Sequence, residues 1–276
     1  MNLVACIVLK SEDGIDEYYI DIAIRSLVPY VSGIYIQDQG CTDDTIKVIQ
    51  NIKTSVPIFI EEELTNLPRF SAGYNECLYR NKAIERCEQL FRPEWIVQND
   101  ADDFFTNYFF ERFLEMDSKG ELAGAKSIYY ATERFIAPGF KSGYRGDMVE
   151  MGGQYFHDGH NKVWRADAKP RYPVTDGGAF HHALTDLYPA IVMSPNEVCN
   201  IHLHRSFGPK AFNYWRSEGD VFDETVPFNP RRQAPKLWCA PANMGSWVKS
   251  DYQWTWYVME KWERWGDLDE QRRSYK

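Results

Sequence analysis

The sequence predicts an open α/β sheet, mostly parallel and flanked by helices, with a helical extension at its C-terminal end. Three observations predict it. Apolar runs of strand length alternate with amphipathic runs of helix length four times within the first hundred residues, the rhythm of strands joined by crossover helices. The first run, "LVACIVL" from Leu3 to Leu9, is apolar on both faces, as a central strand covered on both sides must be. Two later runs, "IYIQD" and "WIVQND", end in carboxylates, at the edge where open α/β sheets bind ligands.

The elements follow in order. After the first strand, the polar loop "KSEDGIDE" leads into "YYIDIAIRSLVPYV", apolar at helical spacing until Pro29 and Gly33. The strand "GIYIQD" passes through a Gly-containing acidic loop to a helix whose start is marked by Thr42, Asp43 and Asp44. "VPIFIEEE" is a third short strand, "GYNECLYRNKAIERCEQLF" a long amphipathic helix, and "EWIVQND" a fourth strand. Beyond Asp103 the rhythm changes: "TNYFFERFLEM" is helical, "AGAKSIYYATERFI" strand-like, and "PGFKSGYRGDMVEMGGQYFHDGH" a Gly-rich loop-like stretch. "VWRADAKPRYPVTDGGAFHHAL" and "NIHLHRS" read as strand or loop, Lys210 to Glu218 as helix, and a Pro-rich connector precedes a Trp-laden tail. The soft boundary near Arg205 divides residues 1–205 from a C-terminal helical extension, 206–276.

Composition bounds the function. With 276 residues, 44% apolar and 15% aromatic, the chain buries a substantial core. A net charge of -9 excludes a broad grip on nucleic acid or an anionic bilayer, which needs clustered Lys and Arg. The six cysteines are scattered without a C-x-x-C pair and read as reduced thiols of a cytoplasmic protein. The N-terminus reads as a first buried strand, not a signal peptide, and no apolar stretch has the length of a membrane helix.

Chemistry concentrates in "WIVQNDADDFF", residues Trp95 to Phe105. A D-x-D pair at a strand end places two carboxylates, Asp100 and Asp102, on one side of the chain. Hard cations such as Mg2+ and Mn2+ are held by one or two carboxylates together with substrate phosphates. The same spacing also occurs in solvated acidic loops, so context decides. Asp38 likewise ends an apolar strand, and reads either as a turn residue or as a carboxylate directed to the same crevice as Asp100 and Asp102.

The run "ACIVLKSEDGIDEYYIDIAIRSLVPYVSGIYIQDQGCTDDTIKVI", followed by "YRNKAI" and "WIVQNDADDFF", resembles in that order the motifs of family 2 glycosyltransferases of the GT-A fold. The resemblance covers roughly the first 115 residues, and three ordered motifs are far more specific than one. It implies a GT-A catalytic domain over 1–205, with a nucleotide-sugar-binding half, 1–103, and an acceptor half, 104–205. It also implies a nucleotide-sugar donor, a divalent cation (Mn2+ or Mg2+) and inversion at the anomeric carbon. By position, Ser11, Glu12 and Asp38 then belong to the donor site, Arg80 and Lys82 lie near the nucleotide, and Asp100 and Asp102 flank ribose and metal. Ser11 stands where the family usually has Asn, Cys41 where it has Ser, and Asp103 where Glu is common.

In the second half, an inverting transfer needs a general base for the acceptor hydroxyl of a glycan or other acceptor. Asp176, His181 and His182 are the candidates; two adjacent histidines in a strand point to opposite faces, so one of the pair is structural. His202 and His204 share a strand face, a spacing compatible with a cation and equally with two surface histidines. Arg205 and Lys210 are placed to neutralise diphosphate. The tail tryptophans Trp247, Trp254, Trp256, Trp262 and Trp265 read as core or as a packing face for a second chain, which allows a homo-oligomer, with Trp215 and Trp238 as weaker acceptor-site candidates. Two other classes share these features: a nucleotidyl or phosphoryl transferase using the same D-x-D cation, and a non-catalytic carbohydrate-binding protein on a decayed transferase fold. The first would carry a basic Gly-rich loop after the first strand, where "KSEDGIDE" is acidic.

Overall fold

The computed structural model describes residues 1–11, 16–63, 72–101, 103–134, 140–141, 156–157, 162–173, 187–193, 198–202 and 221–222. The elements in chain order are β1 (Leu3–Leu9), α1 (Asp16–Leu27), β2 (Gly33–Asp38), α2 (Thr45–Gln50), β3 (Ile58–Glu62), α3 (Ala72–Phe91) and β4 (Trp95–Asn99). There follow β5 (Asp103–Phe105), α4 (Asn107–Ser118), β6 (Ser127–Tyr129), β7 (Ala131–Arg134), β8 (Phe140–Lys141), β9 (Phe156–His157), β10 (Val163–Arg165), β11 (Ala190–Val192), β12 (Val198–His202) and β13 (Val221–Phe222).

The main sheet has seven strands in the order β11-β6-β10-β4-β1-β2-β3. Every neighbouring pair is parallel except those of β10, which is antiparallel to β4 on one side and β6 on the other. The expected architecture, an open and mostly parallel α/β sheet flanked by helices, is the one observed. A second sheet, β5-β12-β7-β9, and a small β13-β8 pair lie outside it. The expected helix from Lys210 to Glu218 and the Trp-rich tail fall outside the described residues.

Alternation along the strands gives the sheet two buried faces. Leu3, Ala5, Ile7 and Leu9 of β1, Ile34 and Ile36 of β2, and Trp95 and Val97 of β4 pack with Ile20, Ile24 and Leu27 of α1 and with Phe109, Phe110 and Phe113 of α4. The intervening residues Val4, Cys6, Tyr35 and Ile96 turn the other way, against Cys77, Ala83, Ile84 and Cys87 of α3. Helix α4 starts where the Thr106 hydroxyl accepts the Phe109 N–H at 3.3 Å, an N-cap. From there its apolar stripe carries Phe113 edge-on to Trp95, with ring centroids 5.4 Å apart. Each such ring contributes about 1.5–3 kcal/mol by its burial.

The fold places its ligand edge by topology. From β1 the chain winds through β2 to β3 on one side, then returns through α3 to β4 on the other side of β1. The winding therefore reverses between β1 and β4. In open α/β sheets the crevice outside the carboxyl ends of the strands at such a reversal is where ligands bind. The strand ends that meet there are Leu9 and Asn99.

Candidate functional site

At this edge the register sets the heights of the strand ends. Leu9 is level with Asp38 across β1 and β2, and Ile7 is level with Asn99 across β1 and β4. Asp38 and Asp100 thus rise from the same edge with one strand between them, a spacing of about 10 Å between their strands. Their parity differs. Asp38 continues the series Ile34, Ile36 on the α1 and α4 face, whereas Asp100 continues Ile96, Gln98 on the α3 face.

The two carboxylates accordingly find different partners. One Asp38 oxygen accepts the backbone N–H groups of Gly40 at 3.0 Å and Cys41 at 2.8 Å, so Asp38 folds its own turn. The loop after β1 is tied to that turn. The Ser11 N–H donates to Cys41 Sγ at 3.3 Å, the Thr42 N–H to the Ser11 carbonyl at 2.8 Å, and the Ser11 hydroxyl to the Asp43 carboxylate. Ser11 and Cys41, two of the departures from the family pattern, bond directly to each other. Burial pushes the Cys41 thiol up to about 12, so it stays protonated at neutral pH. Ser11 is itself buried, and its hydroxyl serves the loop.

Asp100 reaches much farther. Arg80 of α3 donates from Nη2 to its Oδ1 at 3.0 Å, and Lys162, the residue before β10, donates from Nζ to its Oδ2 at 2.8 Å. The same Lys162 ammonium also pairs with Asp103, and Arg80 donates from Nε to Glu76 at 2.8 Å. Exposure ranks the group: Asp103 is 0% exposed, Lys162 7%, Arg80 15% and Asp100 25%. The turn is braced from within as well. Asn99 Nδ2 donates to the carbonyls of Asp100 at 2.7 Å and Asp103 at 2.9 Å, and the Asp103 N–H donates to the Asp100 carbonyl at 3.2 Å.

Three consecutive residues of "YRNKAI" do three different jobs. Arg80 faces the sheet and holds Asp100. Asn81 grips the backbone of Tyr172 from both ends, accepting its N–H at 2.7 Å and donating to its carbonyl at 2.9 Å. Lys82 is 45% exposed and pairs with Glu63 at 2.9 Å. Tyr172, so placed, bonds through its hydroxyl to Gln98 and lies under the Arg80 guanidinium, which is 5.7 Å from its ring centre.

Burial alone would raise the pKa of Asp100, but the charges of Arg80 and Lys162 outweigh it and hold the carboxyl well below its usual range. Burial opposes the charge on Arg80 too, and the Asp100 carboxylate and its neighbours more than restore it. Burial likewise raises Tyr172, which remains a phenol. Asp100 and Arg80 are therefore held in their ionised forms by one another and their neighbours.

Of the residues expected from sequence, the structure brings Asp100 and Arg80 into direct contact and sets Lys82 outside that contact. Asp103 is buried in β5 against Lys162. In the second sheet, β12 runs antiparallel to β5 with His202 opposite Asp103, so a later histidine position is carried to the acidic turn. Glu12, Asp102, Asp176, His181, His182, His204, Arg205 and Lys210, with Trp215, Trp238 and the tail tryptophans, lie outside the described residues. Among the described residues no group of three His, Cys, Asp or Glu stands together to hold a metal ion. At Asp100, Arg80 and Lys162 engage one carboxylate oxygen each.

Sequence reasoning missed Lys162, Tyr172 and Asn99. For Arg80 a signal existed: Cys77, Arg80, Ile84 and Cys87 recur at helical spacing, which sets Arg80 on the buried face of α3. Lys162 has no such signal. It meets Asp100 only because β10 enters the sheet antiparallel to β4, which puts its beginning at the carboxyl edge.

No family model matches the chain, and no curated protein matches it in sequence. Among solved structures, it is similar to the crystal structure of S. aureus TarS 1-349 in complex with UDP, with a TM-score of 0.47 and 13% identity over 78% of this chain and 63% of that one. The crystal structure of S. aureus TarS 1-349 in complex with UDP-GlcNAc aligns with a TM-score of 0.47 and 12% identity over 86% of this chain and 70% of that one. That of S. aureus TarS aligns with a TM-score of 0.49 and 12% identity over 95% of this chain and 43% of that one. The chain thus spans under two thirds of the first and the last of these. Among the described residues no helix is long and apolar enough to cross a membrane.

Proposed function

We propose that this protein is a glycosyltransferase that moves a sugar from a nucleotide-sugar donor to an acceptor hydroxyl, with inversion at the anomeric carbon. The observation that carries the reading is the charged turn at the reversal of the sheet. Asp100, Arg80 and Lys162 meet outside the carboxyl ends of β1 and β4, where a nucleotide is expected, and β12 delivers His202 opposite Asp103. The three ordered motifs that resemble family 2 glycosyltransferases fall on the elements that build this edge: β1 to β2, the middle of α3, and β4 with its turn.

In this reading the fixed network shapes the donor pocket. Ionised groups already paired in their final geometry need no reorganisation when charge develops on a departing diphosphate. Asn99 and Lys162 hold the turn on either side, through Asp100 and Asp103. A divalent cation, Mn2+ or Mg2+, enters the proposal through Asp102 and a histidine at 202 or 204, and when bound it would supply positive charge to the diphosphate. A base from Asp176, His181 or His182 would take the proton of the acceptor, a glycan or other hydroxyl, as it attacks.

The test is a thermal-shift panel of nucleoside diphosphates and nucleotide sugars, with and without Mn2+. A true ligand at a hundredfold its Kd adds about 2.7 kcal/mol of stability. The expected result is a shift with one nucleotide that Asp102→Ala removes, followed by release of that nucleoside diphosphate when an acceptor is supplied. No shift with any nucleotide rejects the reading.

A further inference from the structure

We infer that Lys162 is the resident cation of the acidic turn, neutralising Asp100 and Asp103 from inside, so that an external divalent cation is excluded from Asp100. The inference rests on reading this edge as the donor site, and it decides which acids of the turn remain open to a cation.

The geometry carries it. A single ammonium bridges two carboxylates three residues apart in sequence, one of them fully buried, in the way a metal ion bridges ligands. The second Asp100 oxygen is taken by Arg80. Two acids and two bases thereby balance locally, before Glu76 is added on the far side of Arg80. A divalent cation approaching Asp100 would have to part the Lys162 ammonium from that carboxylate at a place where Lys162 is 7% exposed, breaking one of the two carboxylate pairs that offset the burial of its charge. The backbone on both sides of the turn is already closed by Asn99, whose amide bonds the carbonyls of Asp100 and Asp103. In the D-A-D-D run the first and last acids are thus internal and structural.

The experiment uses the full chain and Mn2+ alone, so that it does not depend on any nucleotide. Free Mn2+ is titrated by electron paramagnetic resonance against the wild type, Asp100→Asn, Lys162→Met and the double variant. The isosteric Asp100→Asn should leave Mn2+ binding, whatever its strength, within about twofold of the wild type, whereas a ligand loss of tenfold or more overturns the inference. Lys162→Met should gain one Mn2+ equivalent, visible also as Mn2+-dependent thermal stabilisation, and adding Asp100→Asn should remove it. Lys162→Met binding Mn2+ just as the wild type does is the second overturning result. Should Lys162→Met not fold, the Asp100→Asn comparison decides alone. A wild type that binds no Mn2+ agrees with the exclusion from Asp100 while removing the cation from the proposed transfer, so the two ideas fail separately.

Discussion

Two strand ends of this molecule look alike in sequence and behave differently in space. β2 and β4 are both wholly buried strands of one sheet, and each brings an aspartate to its carboxyl edge, Asp38 as the last residue of β2 and Asp100 directly after Asn99 of β4. At the end of β2, Asp38 is satisfied within three residues, by the amide groups of its own turn. At the end of β4, Asp100 is satisfied by groups 20 and 62 residues away, on α3 and before β10. The first carboxylate shapes a loop and needs only to accept hydrogen bonds. The second joins three elements through charge, and removing a member leaves partly buried charges with fewer partners.

That contrast orders the consequences of mutation. Lys162→Met should be the most damaging change, at about 3–5 kcal/mol, because it leaves two acids of the turn without their shared cation; chemical denaturation of purified protein measures it. Asp100→Asn should cost about 1–3 kcal/mol, since the amide keeps the shape but not the charge that Arg80 and Lys162 require. It should also flatten the acid limb of stability. Asp100 is held below its ordinary value, so its contribution is present above about pH 4 and is lost as pH falls through the folded-state value. Thermal melts between neutral pH and the acid limit should therefore diverge for wild type and Asp100→Asn above that window and converge below it.

The β2 end should respond more gently. Asp38→Ala removes the acceptor for two turn amides and should cost about 1 kcal/mol. Asp38→Asn, which keeps an acceptor oxygen, should cost about half of that or less. A loss at Asp38→Asn as large as that at Asp100→Asn would erase the distinction between the two ends. The smallest effect belongs to Lys82→Ala, whose exposed pair with Glu63 should contribute about 0–1 kcal/mol. If Lys82→Ala nonetheless weakens nucleotide binding strongly, Lys82 acts on the ligand and not on the fold.

Much of this architecture is readable from periodicity. The strands β1 to β4 and the helices between them are marked by apolar runs, helical spacing and turn residues, and each survives in the structure because local preference and burial agree there. The edge at which the acids gather was legible too, since carboxylates at strand ends in an α/β series point to one edge. The roles within it were not. Arg80 and Lys82 are two residues apart, about 200° around a helix, so one of them had to face away. Which acid would be neutralised, and by what, depended on a strand that reverses direction 60 residues later. Charge pairing across a sheet leaves no trace in the local pattern of either partner.

Packing shows the same division. On the α1 and α4 face, a Phe and Trp cluster is foreshadowed by "NYFFERFLEM", and its members are interchangeable in the sense that any large apolar ring contributes by area. At the start of β2, Gly33 is a matter of fit. A Cβ there would stand 2.2 Å from the Phe91 ring at the end of α3, so the glycine sets how closely that helix lies on the sheet. Gly33→Ala should cost about 1–3 kcal/mol through displacement of that ring.

The reversed direction of β10 has a consequence for the order in which the molecule can be made. The acids of the turn leave the ribosome about 60 residues ahead of their cation, which at 5–20 residues per second is a delay of roughly 3–12 s. Until Lys162 arrives, the end of β4 holds two acids that cannot be buried together in ionised form. The N-terminal strands and α3 can collapse in that interval, but the charged edge closes only when β10 docks between β4 and β6. Closure of the charged edge thus waits on β10, with β11 still to be added beyond β6, and a chain that stops short of Lys162 leaves Asp100 and Asp103 without the cation they share.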